Sequence, residues 1–326
     1  MQGGRGGDKL VLTRGDYMRN RAFLFALTLA AMPALGDDGV ASLAAGGIVF
    51  TAGTPVQMRT EDLYVSPKKV RVRFEFFNPT QHDVRTVVAF PLPDIEWDPA
   101  VGYGPMVHDP VNFVGFNVSV NGAFQAFQSE QRAIFKGRDI TALVAAARLP
   151  VNAVRAGERA IDFGSSGKAR PIAPDKKAKL IKLGILEDDT EYPNWTTRTR
   201  FYWTQIFPAG KTIVIEHEYQ PVTGGWNTSR GLFDDPQLAK MFCGTPMLAQ
   251  AATLKGAAYE THYILETAKT WNGPIGRFHL TLDKLKPGNV LSLCWDGALT
   301  KASPTTFTFD AHDYVPTRDI AMVVLE

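Results

Sequence analysis

Alternation of apolar and polar residues runs through much of this 326-residue chain and limits what it can fold into. In the segment 70–76, valine and phenylalanine occupy every second position, with arginine and glutamate between them. Successive side chains of a strand point to opposite faces, so this pattern predicts a strand with one buried and one wet face. The sequence therefore predicts a mainly β fold, an antiparallel β-sandwich with short helical insertions. Further predicted strands are 84–90, 114–120, 197–207, 212–219, 259–267, 277–282, 290–295, 305–309 and 320–325.

Helical patterns occupy a smaller part of the chain. An apolar stripe with helical spacing follows Asp139, a residue type that favours helix starts, and Gly184 stands where a second helix would stop. The polar stretch 155–177 is predicted to be a mobile insertion. The predicted helices are 140–147, 175–183, 236–242 and 246–255.

The N-terminal part has the pattern of an export signal. Arg19 and Arg21 precede a short apolar run at 22–31, and small residues follow as far as Gly36. A basic flank, a short apolar segment and small residues before a cleavage point are typical of a secretory signal peptide. The apolar run has only about half of the roughly 20 residues that a transmembrane anchor needs. We therefore predict that residues 18–36 are a cleaved signal peptide.

The predicted signal peptide divides the chain into three parts. Residues 1–17 resemble neither a signal nor a core, and Met18 is a natural translation start, so they are a candidate upstream extension. Residues 37–326 are predicted to form a single elaborated β-sandwich domain, with two subdomains dividing near 225–255 as the alternative. The mature protein would be periplasmic or secreted and would have no membrane span after cleavage.

The charge of the chain argues against a nucleic-acid partner. The formal net charge is +2, and loss of residues 1–36 would remove more basic than acidic residues and leave about one net negative charge. Proteins that bind nucleic acid usually carry a concentrated basic surface. The remaining partner classes are an envelope protein, a glycan or a lipid component.

Cys243 and Cys294 are the two cysteines of the chain. In an oxidising compartment paired thiols tend to become disulfides, and a loop of about 50 residues would be worth roughly 4 kcal/mol in the chain-entropy account. The alternative is two unpaired buried thiols. Two cysteines without a nearby histidine pair are too few for a structural zinc site. We predict a disulfide, which would leave neither cysteine free to act as a nucleophile.

His217 is a candidate site histidine because of the residues predicted around it. It shares the apolar face of the predicted strand 212–219 with Tyr219, which is typical of a neutral, hydrogen-bonded core histidine. The alternative is a site histidine that works with Trp203 and Gln205 of the preceding strand. The turn at 207–210 would make those two strands neighbours.

Tryptophan and tyrosine are plentiful in the second half of the chain. Aromatic faces exposed on a sandwich can bind sugars or peptides, although most tryptophans in such a fold belong to the core. The candidate binding residues are Trp203, Gln205, His217, Tyr219 and Trp226.

Three alternating carboxylates form a weak candidate metal site. Asp94, Glu96 and Asp98 would share one face of an extended segment, and carboxylate oxygens are ligands for Ca²⁺. The alternative is three solvated carboxylates in an irregular connection between prolines. The chain contains no Gly-x-Ser-x-Gly elbow and no glycine-rich phosphate loop. We therefore predict no cofactor and assign no catalytic residue.

Several short motifs are distributed along the predicted mature chain. They include Leu-Ala-Ala-Gly-Gly at 43–47, Phe-Pro-Leu-Pro at 90–93, Trp-Thr-Gln-Ile-Phe-Pro-Ala-Gly at 203–210 and Glu-His-Glu-Tyr at 216–219. With these motifs the chain resembles a family of secreted bacterial proteins known only as a domain of unknown function. The resemblance covers essentially the whole mature chain and implies a bacterial export pathway, but it implies no activity.

A second likeness rests on the order of elements. A strand with a following asparagine turn at 76–78 leads to the Phe-Pro-Leu-Pro segment at 90–93. This order resembles the vault/inter-alpha-trypsin domain, a β-rich extracellular module. It implies a β-sandwich rather than any particular function.

Three functions are consistent with this sequence. The first is an exported, periplasmic binding or interaction module for an envelope component. The second is an envelope hydrolase with a site around His217, Glu218 and the segment 94–98. The third is a purely structural envelope protein. A deep cleft with converging titratable groups would favour the hydrolase, whereas shallow grooves or an apolar patch would favour the module.

The signal peptide gives a first testable prediction. When the full chain is expressed in a bacterial host, we expect the exported protein to begin at Asp37, because Gly36 ends the run of small residues before the cleavage point. N-terminal sequencing and intact mass of the exported protein measure this. The control Leu27→Arg interrupts the apolar run and should keep the chain inside the cell. Recovery of native protein with its leader uncut would contradict the prediction.

Overall fold

The computed structural model describes residues 39–44, 47–50, 52–104, 106–166, 170–226, 236–243, 254 and 256–326. The predicted signal peptide and upstream extension lie outside the described residues. The predicted helix at 246–255 also lies outside them, apart from residue 254.

Strands make up most of the regular structure, as the alternation predicts. In chain order they are β1 (Gly39–Ala44), β2 (Gly47–Phe50), β3 (Gln57–Ser66), β4 (Lys69–Phe77), β5 (Val84–Pro91), β6 (Gly102–Gly104), β7 (Asn117–Val120), β8 (Ala123–Phe124), β9 (Gln128–Phe135), β10 (Arg138–Asp139), β11 (Thr196–Phe207), β12 (Thr212–Tyr219), β13 (Thr223–Trp226), β14 (Ala258–Tyr263), β15 (Ile275–Asp283), β16 (Val290–Leu293), β17 (Thr300–Lys301), β18 (Thr306–Tyr314) and β19 (Ile320–Leu325). The prediction of a mainly β fold is confirmed.

The strands form three sheets. Sheet A has the order β10–β9–β11–β5–β1–β2, sheet B the order β17–β18–β15–β3–β4–β12–β7–β8, and sheet C the order β16–β19–β14–β13–β6. Among the described strands the neighbours are antiparallel except for β3 and β15, which are parallel. A parallel pair needs a long crossover connection, and more than 200 residues separate these two strands along the chain.

The main core lies between sheets A and B. On β4 and β12 every second residue is buried, as the alternation predicts. Rings of the two sheets meet edge to face across the core: the centroids of Phe76 and Phe207 are 5.8 Å apart, and those of Phe90 and His217 are 4.9 Å apart. Each fully buried phenylalanine stabilises the fold by about 1.5–3 kcal/mol.

The connection from β11 to β12 differs from the prediction. The turn at 207–210 does not make these strands neighbours: β11 pairs with β5 and β9 in sheet A, while β12 pairs with β4 and β7 in sheet B. The chain crosses from one sheet to the other at Gly210, whose φ is +62°. The strands therefore face each other through the core instead of forming a hairpin.

Asn78 joins the two connections that cross between sheets A and B. Its side-chain Nδ2 donates to the carbonyls of Phe207 at 2.8 Å and His82 at 2.7 Å. Its backbone N–H donates to the carbonyl of Lys211, and its own carbonyl accepts from the N–H of Gly210. The residue is fully buried. One amide therefore satisfies polar groups of both crossings at the same corner of the sandwich.

Helices are short and lie mostly between β10 and β11. They are α1 (Thr141–Ala146), α2 (Ala153–Ser166), α3 (Pro174–Lys182) and α4 (Pro236–Met241), with a 3₁₀ helix at Glu266–Thr270. No helix in the described ranges is both long enough and apolar enough to cross a bilayer.

The predicted mobile insertion at 155–177 is helical over most of its length, because α2 and the start of α3 occupy it, and its mobility stays a prediction. Glu191 holds these helices together: its carboxylate accepts from Arg159 at 3.1 Å and forms an ion pair with Lys177 at 2.8 Å. Burial opposes ionisation, but these hydrogen bonds outweigh it and lower the pKa of Glu191.

Three predicted strands are shorter in the structure, and one of them, 290–295, ends at Leu293. The segment 114–120 is extended only from Asn117, and the segment 259–267 leaves the sheet after Tyr263 and continues into the 3₁₀ helix. Val114 and Phe116 are nevertheless buried. Residues buried outside a sheet gave the same apolar pattern as a strand. The pattern alone therefore could not distinguish a buried irregular segment from a strand.

The predicted disulfide between Cys243 and Cys294 is confirmed, with Cα atoms 5.0 Å apart. It attaches the end of α4 to the end of β16. Beside it, the hydroxyl of Ser292 donates to the carbonyl of Phe242 at 2.8 Å, and Phe242 is buried against sheet C. Helix α4 is thus fixed to sheet C by a covalent bond, a hydrogen bond and an apolar contact.

The corner residue Asn78 gives the second prediction. Asn78→Ala should lower the free energy of unfolding by about 2–4 kcal/mol, because it leaves buried carbonyls without their donor. Urea unfolding measures the change. Asn117→Ala, an exposed position on β7, is the matched control and should change the free energy by less than about 0.5 kcal/mol. Equal effects of the two substitutions would contradict the assigned role.

Candidate functional site

A cavity of about 840 Å³ lies where the ends of β14 and β19 in sheet C meet the segment that follows β5. This volume lies within the range of ligand pockets in proteins. Two further segments complete its wall, the end of β12 with the residues after it and Met241 at the end of α4. The lining residues are Leu92–Glu96, Asp98, Val101, Tyr103, Val114, Tyr219, Pro221, Val222, Gly224, Met241, Glu260, His262–Ile264 and Asp319–Ala321.

The inner part of the cavity is apolar and aromatic. Tyr219, Tyr263 and Ile320 line it and also belong to the main core, where they are buried. These residues are positioned by strands of two sheets, β12 in sheet B and β14 and β19 in sheet C. The floor of the cavity is therefore held by the same packing that holds the sheets together.

The three predicted carboxylates lie at the cavity, and each has a protein partner. Asp94 accepts from the guanidinium of Arg198, with Nη2 2.8 Å from Oδ2. Glu96 accepts from the hydroxyl of Thr196 at 2.7 Å. Asp98 accepts from a backbone N–H at 2.8 Å. In the described part of the chain, no group of three or more histidine, cysteine or acidic side chains is arranged to hold a metal ion.

Tyr103 fixes the position of this acidic segment. Its hydroxyl donates to the carbonyl of Glu96 at 2.8 Å and accepts from the N–H of Asp98 at 2.8 Å. Burial raises the pKa of Tyr103 to about 12, and the charges of neighbouring carboxylates add to the shift. The phenol therefore remains protonated and continues to donate. Trp97 stacks on the Tyr103 ring, with centroids 5.7 Å apart.

Glu260 and His262 point to the cavity from β14. Across the sheet, Glu260 pairs with Gly224 of β13, and Gly224 pairs with Tyr103 of β6. A Cβ atom at Gly224 would lie 2.4 Å from Oε1 of Glu260, so the carboxylate occupies space that only a glycine leaves open. Nε2 of His262 is 3.5 Å from Oε2 of Glu260, and the Glu260 side chain is 22% exposed.

Asp319 supplies a further carboxylate, next to β19. Its Oδ1 accepts from the N–H groups of Leu265 at 2.8 Å and Glu266 at 3.0 Å, where the 3₁₀ helix begins. Burial raises the pKa of Asp319, and the two N–H donors only partly offset this. The ionised form of Asp319 is therefore less favourable than that of an exposed aspartate.

The residues that the sequence predicts as a binding site are separated in the structure. Tyr219 lines the cavity, whereas Trp203, Gln205 and His217 are not among its lining residues. Trp203 Nε1 donates to Gln205 Oε1 at 3.2 Å within the buried core. The side chain of Trp226 lies outside the described residues.

His217 is enclosed by aromatic rings. Its centroid lies 4.9 Å from Phe90, 5.3 Å from Phe116, 5.5 Å from Phe74 and 5.9 Å from Trp203. The residue is 2% exposed. The contact with Trp203 is made across the sandwich, because the two residues belong to facing sheets.

The predicted site residues do not include Tyr103, Glu260, His262 and Asp319, which line the cavity. A signal for two of them was present: in 259–263, Glu260 and His262 alternate with other residues, so they share one strand face. The cavity at this face is built by segments far apart in the sequence, and no local pattern indicates that they meet.

The fold and the cavity together define the class of this protein: a mainly β sandwich with an additional sheet and a ligand-sized cavity at its edge. The chain belongs to the family described as a domain of unknown function (DUF4424), which matches residues 36–323. The predicted resemblance to a family without an established activity is thus confirmed. The likeness to the vault/inter-alpha-trypsin domain stays a prediction.

Comparison with solved structures finds a similar chain from Legionella pneumophila subsp. pneumophila str. Philadelphia 1, called a "putative nutrient binding protein". The two chains are 14% identical, the match covers 84% of this chain and 68% of that one, and the TM-score is 0.43. No curated protein matches this chain at a significant level.

The close approach of Glu260 to Gly224 gives the third prediction. Gly224→Ala should push the Glu260 carboxylate away from β13, and because this flexible side chain can move, the free energy of unfolding should change by less than about 1 kcal/mol. A crystal structure and thermal unfolding of the variant measure the two effects. Gly288→Ala is the matched control, because a Cβ atom there meets nothing within 4 Å. An unmoved Glu260 in Gly224→Ala would contradict the assigned geometry.

Proposed function

We propose that this chain is an exported, periplasmic binding module that holds a small ligand in the cavity at the edge of sheet C. The observation that carries the proposal is the cavity itself, about 840 Å³ with an apolar floor and polar groups at its wall. Ligand sites in proteins combine these two features: apolar surface contributes affinity, and a few placed polar groups fix orientation. The ligand would be a component of the envelope.

The proposal of export is supported by the disulfide and by the sequence pattern of residues 18–36. Disulfides persist in oxidising compartments and are rare in the cytosol. The Cys243–Cys294 bond also holds α4, which contributes Met241 to the cavity wall. The disulfide that supports export therefore also supports part of the wall of the proposed binding site.

The alternative of an envelope hydrolase at His217 is less well supported by the geometry. A general base must come within hydrogen-bond reach of the proton that it abstracts, and His217 is enclosed by four aromatic rings. The alternative of a purely structural envelope protein gives no reason for a cavity of this size. We therefore favour the binding module over both.

A fragment screen by crystal soaking tests the proposal and is the fourth prediction. Small acids, amines and neutral compounds are soaked in equal numbers, and we expect bound fragments to concentrate in this cavity. Val101→Trp adds bulk at a lining residue of the loop before β6 and should abolish these hits. Val315→Trp is the matched control at an exposed position outside the cavity and should keep them.

Two results would contradict the proposed function. One is a screen in which fragments bind elsewhere and leave the cavity empty. The other is a Val101→Trp variant that folds normally, as judged by its thermal unfolding, and binds the same fragments at the same place as the unchanged chain.

A further inference from the structure

We propose that the cavity is selective for an organic cation, an amine or guanidinium group carried on an apolar body. This inference rests on the proposed binding function and goes beyond it by naming the chemical class of the ligand. Three features of the cavity support this inference: the carboxylates of its wall, its apolar floor and the position of Glu260.

The charged groups of the cavity wall are of one sign. Among the described residues that line the cavity, none is lysine or arginine, and His262 is the one side chain that could become positive. Five are carboxylates, from the segment after β5, from β14 and from the residue before β19: Asp94, Glu96, Asp98, Glu260 and Asp319. Carboxylates from three separate elements thus converge on one concave surface, which concentrates their field.

The carboxylates of the wall shift the pKa of Tyr103, which also lines the cavity. The pKa of Tyr103 is raised mainly by burial, and the charges of Asp98, Glu260 and Glu96 raise it further. A phenolate is an anion, so the part of the shift that these carboxylates cause means that they disfavour a further negative charge at the wall. The same carboxylates would disfavour an anionic ligand and favour a cationic one.

The carboxylates differ in how free they are to contact a ligand. Asp94 is engaged by Arg198 through two nitrogens, and burial disfavours the ionised form of Asp319. Glu260 has a histidine beside it instead of an arginine or lysine, and its carboxylate lies over Gly224 at the cavity wall. Glu96 and Asp98 each accept a hydrogen bond from the protein and are exposed, whereas Glu260 lies deeper. We therefore assign Glu260 as the principal partner of the cation.

The remainder of the cavity suits the apolar part of such a ligand. Buried tyrosines and aliphatic residues form the floor, as Tyr219, Tyr263 and Ile320 show. Because the rings of these tyrosines are buried, contacts with the apolar part of the ligand would come from half-buried lining residues such as Ile95, Val222 and Ile264. A small inorganic cation would leave this apolar floor unused.

Three probes of nearly equal shape test the inference: 2-phenylethylamine, 2-phenylethanol and 3-phenylpropanoate, which are cationic, neutral and anionic at pH 7. Binding to the full mature chain is measured by NMR titration at low salt. We expect the amine to bind at least about tenfold more tightly than the carboxylate, with the alcohol between them. Added salt should reduce the difference, because charge interactions are screened.

Variants assign the selectivity to the cavity. Glu260→Gln should weaken amine binding about tenfold and leave the alcohol unchanged, since it removes the charge and keeps the shape. Asp98→Asn, which keeps the acceptor for its backbone partner, is a second variant with the same expected direction. Glu216→Gln is the matched control: Glu216 lies on β12 opposite Arg73 and does not line the cavity.

The outcomes separate this inference from the proposed function. If the three probes bind the cavity equally, or if Glu260→Gln and Glu216→Gln bind the amine alike, the charge selectivity is wrong and the binding function stands. If none of the probes binds at millimolar concentration while the fragment screen fills the cavity, the selectivity is also wrong. If the fragment screen leaves the cavity empty as well, both proposals are overturned.

Discussion

The burial of two sheet faces against each other is the interaction on which the rest of this structure depends. Phenylalanines of β4, β5 and β11 interdigitate between sheets A and B, and His217 takes a place among them. Because both sheets must present their apolar faces inward, the chain has to cross between them, and it does so twice at one corner. The buried amide of Asn78 satisfies the polar groups that these crossings would otherwise leave without partners.

The cavity is a consequence of adding a third sheet to this sandwich. Sheet C buries Tyr263, Ile320 and Met322 in the main core, while the ends of its strands meet the segment after β5 without closing on it. Strand ends form one side of this gap, and hydrogen bonds with Tyr103 hold the loop segment on the other side. Tyr103 and Trp97 also hold the acidic segment against β6 and the helical insertion. Preorganisation of this kind lowers the entropic cost of binding.

Local patterns predicted the strands well but the site only in part. Alternation at 70–76 and 212–219 predicted β4 and β12 and their buried faces, because the period of a strand is a local property. The same information could not tell that β11 and β12 lie in different sheets, since a tight turn between two strands is compatible with a hairpin and with a crossing. The carboxylates at 94–98 were visible in the sequence, whereas Asp319 meets them only through long-range topology.

The attachment of α4 links the cavity to the chemistry of the compartment. Met241 belongs to the cavity wall, and two residues further on Cys243 is bonded to Cys294 at the end of β16. In a reducing environment, the contacts among the described residues that hold this part of the wall would be the packing of Phe242 on sheet C and its hydrogen bond from Ser292. Completion of the cavity would then follow thiol oxidation, so a chain retained in the cytosol would acquire its fold before it acquired a finished ligand pocket.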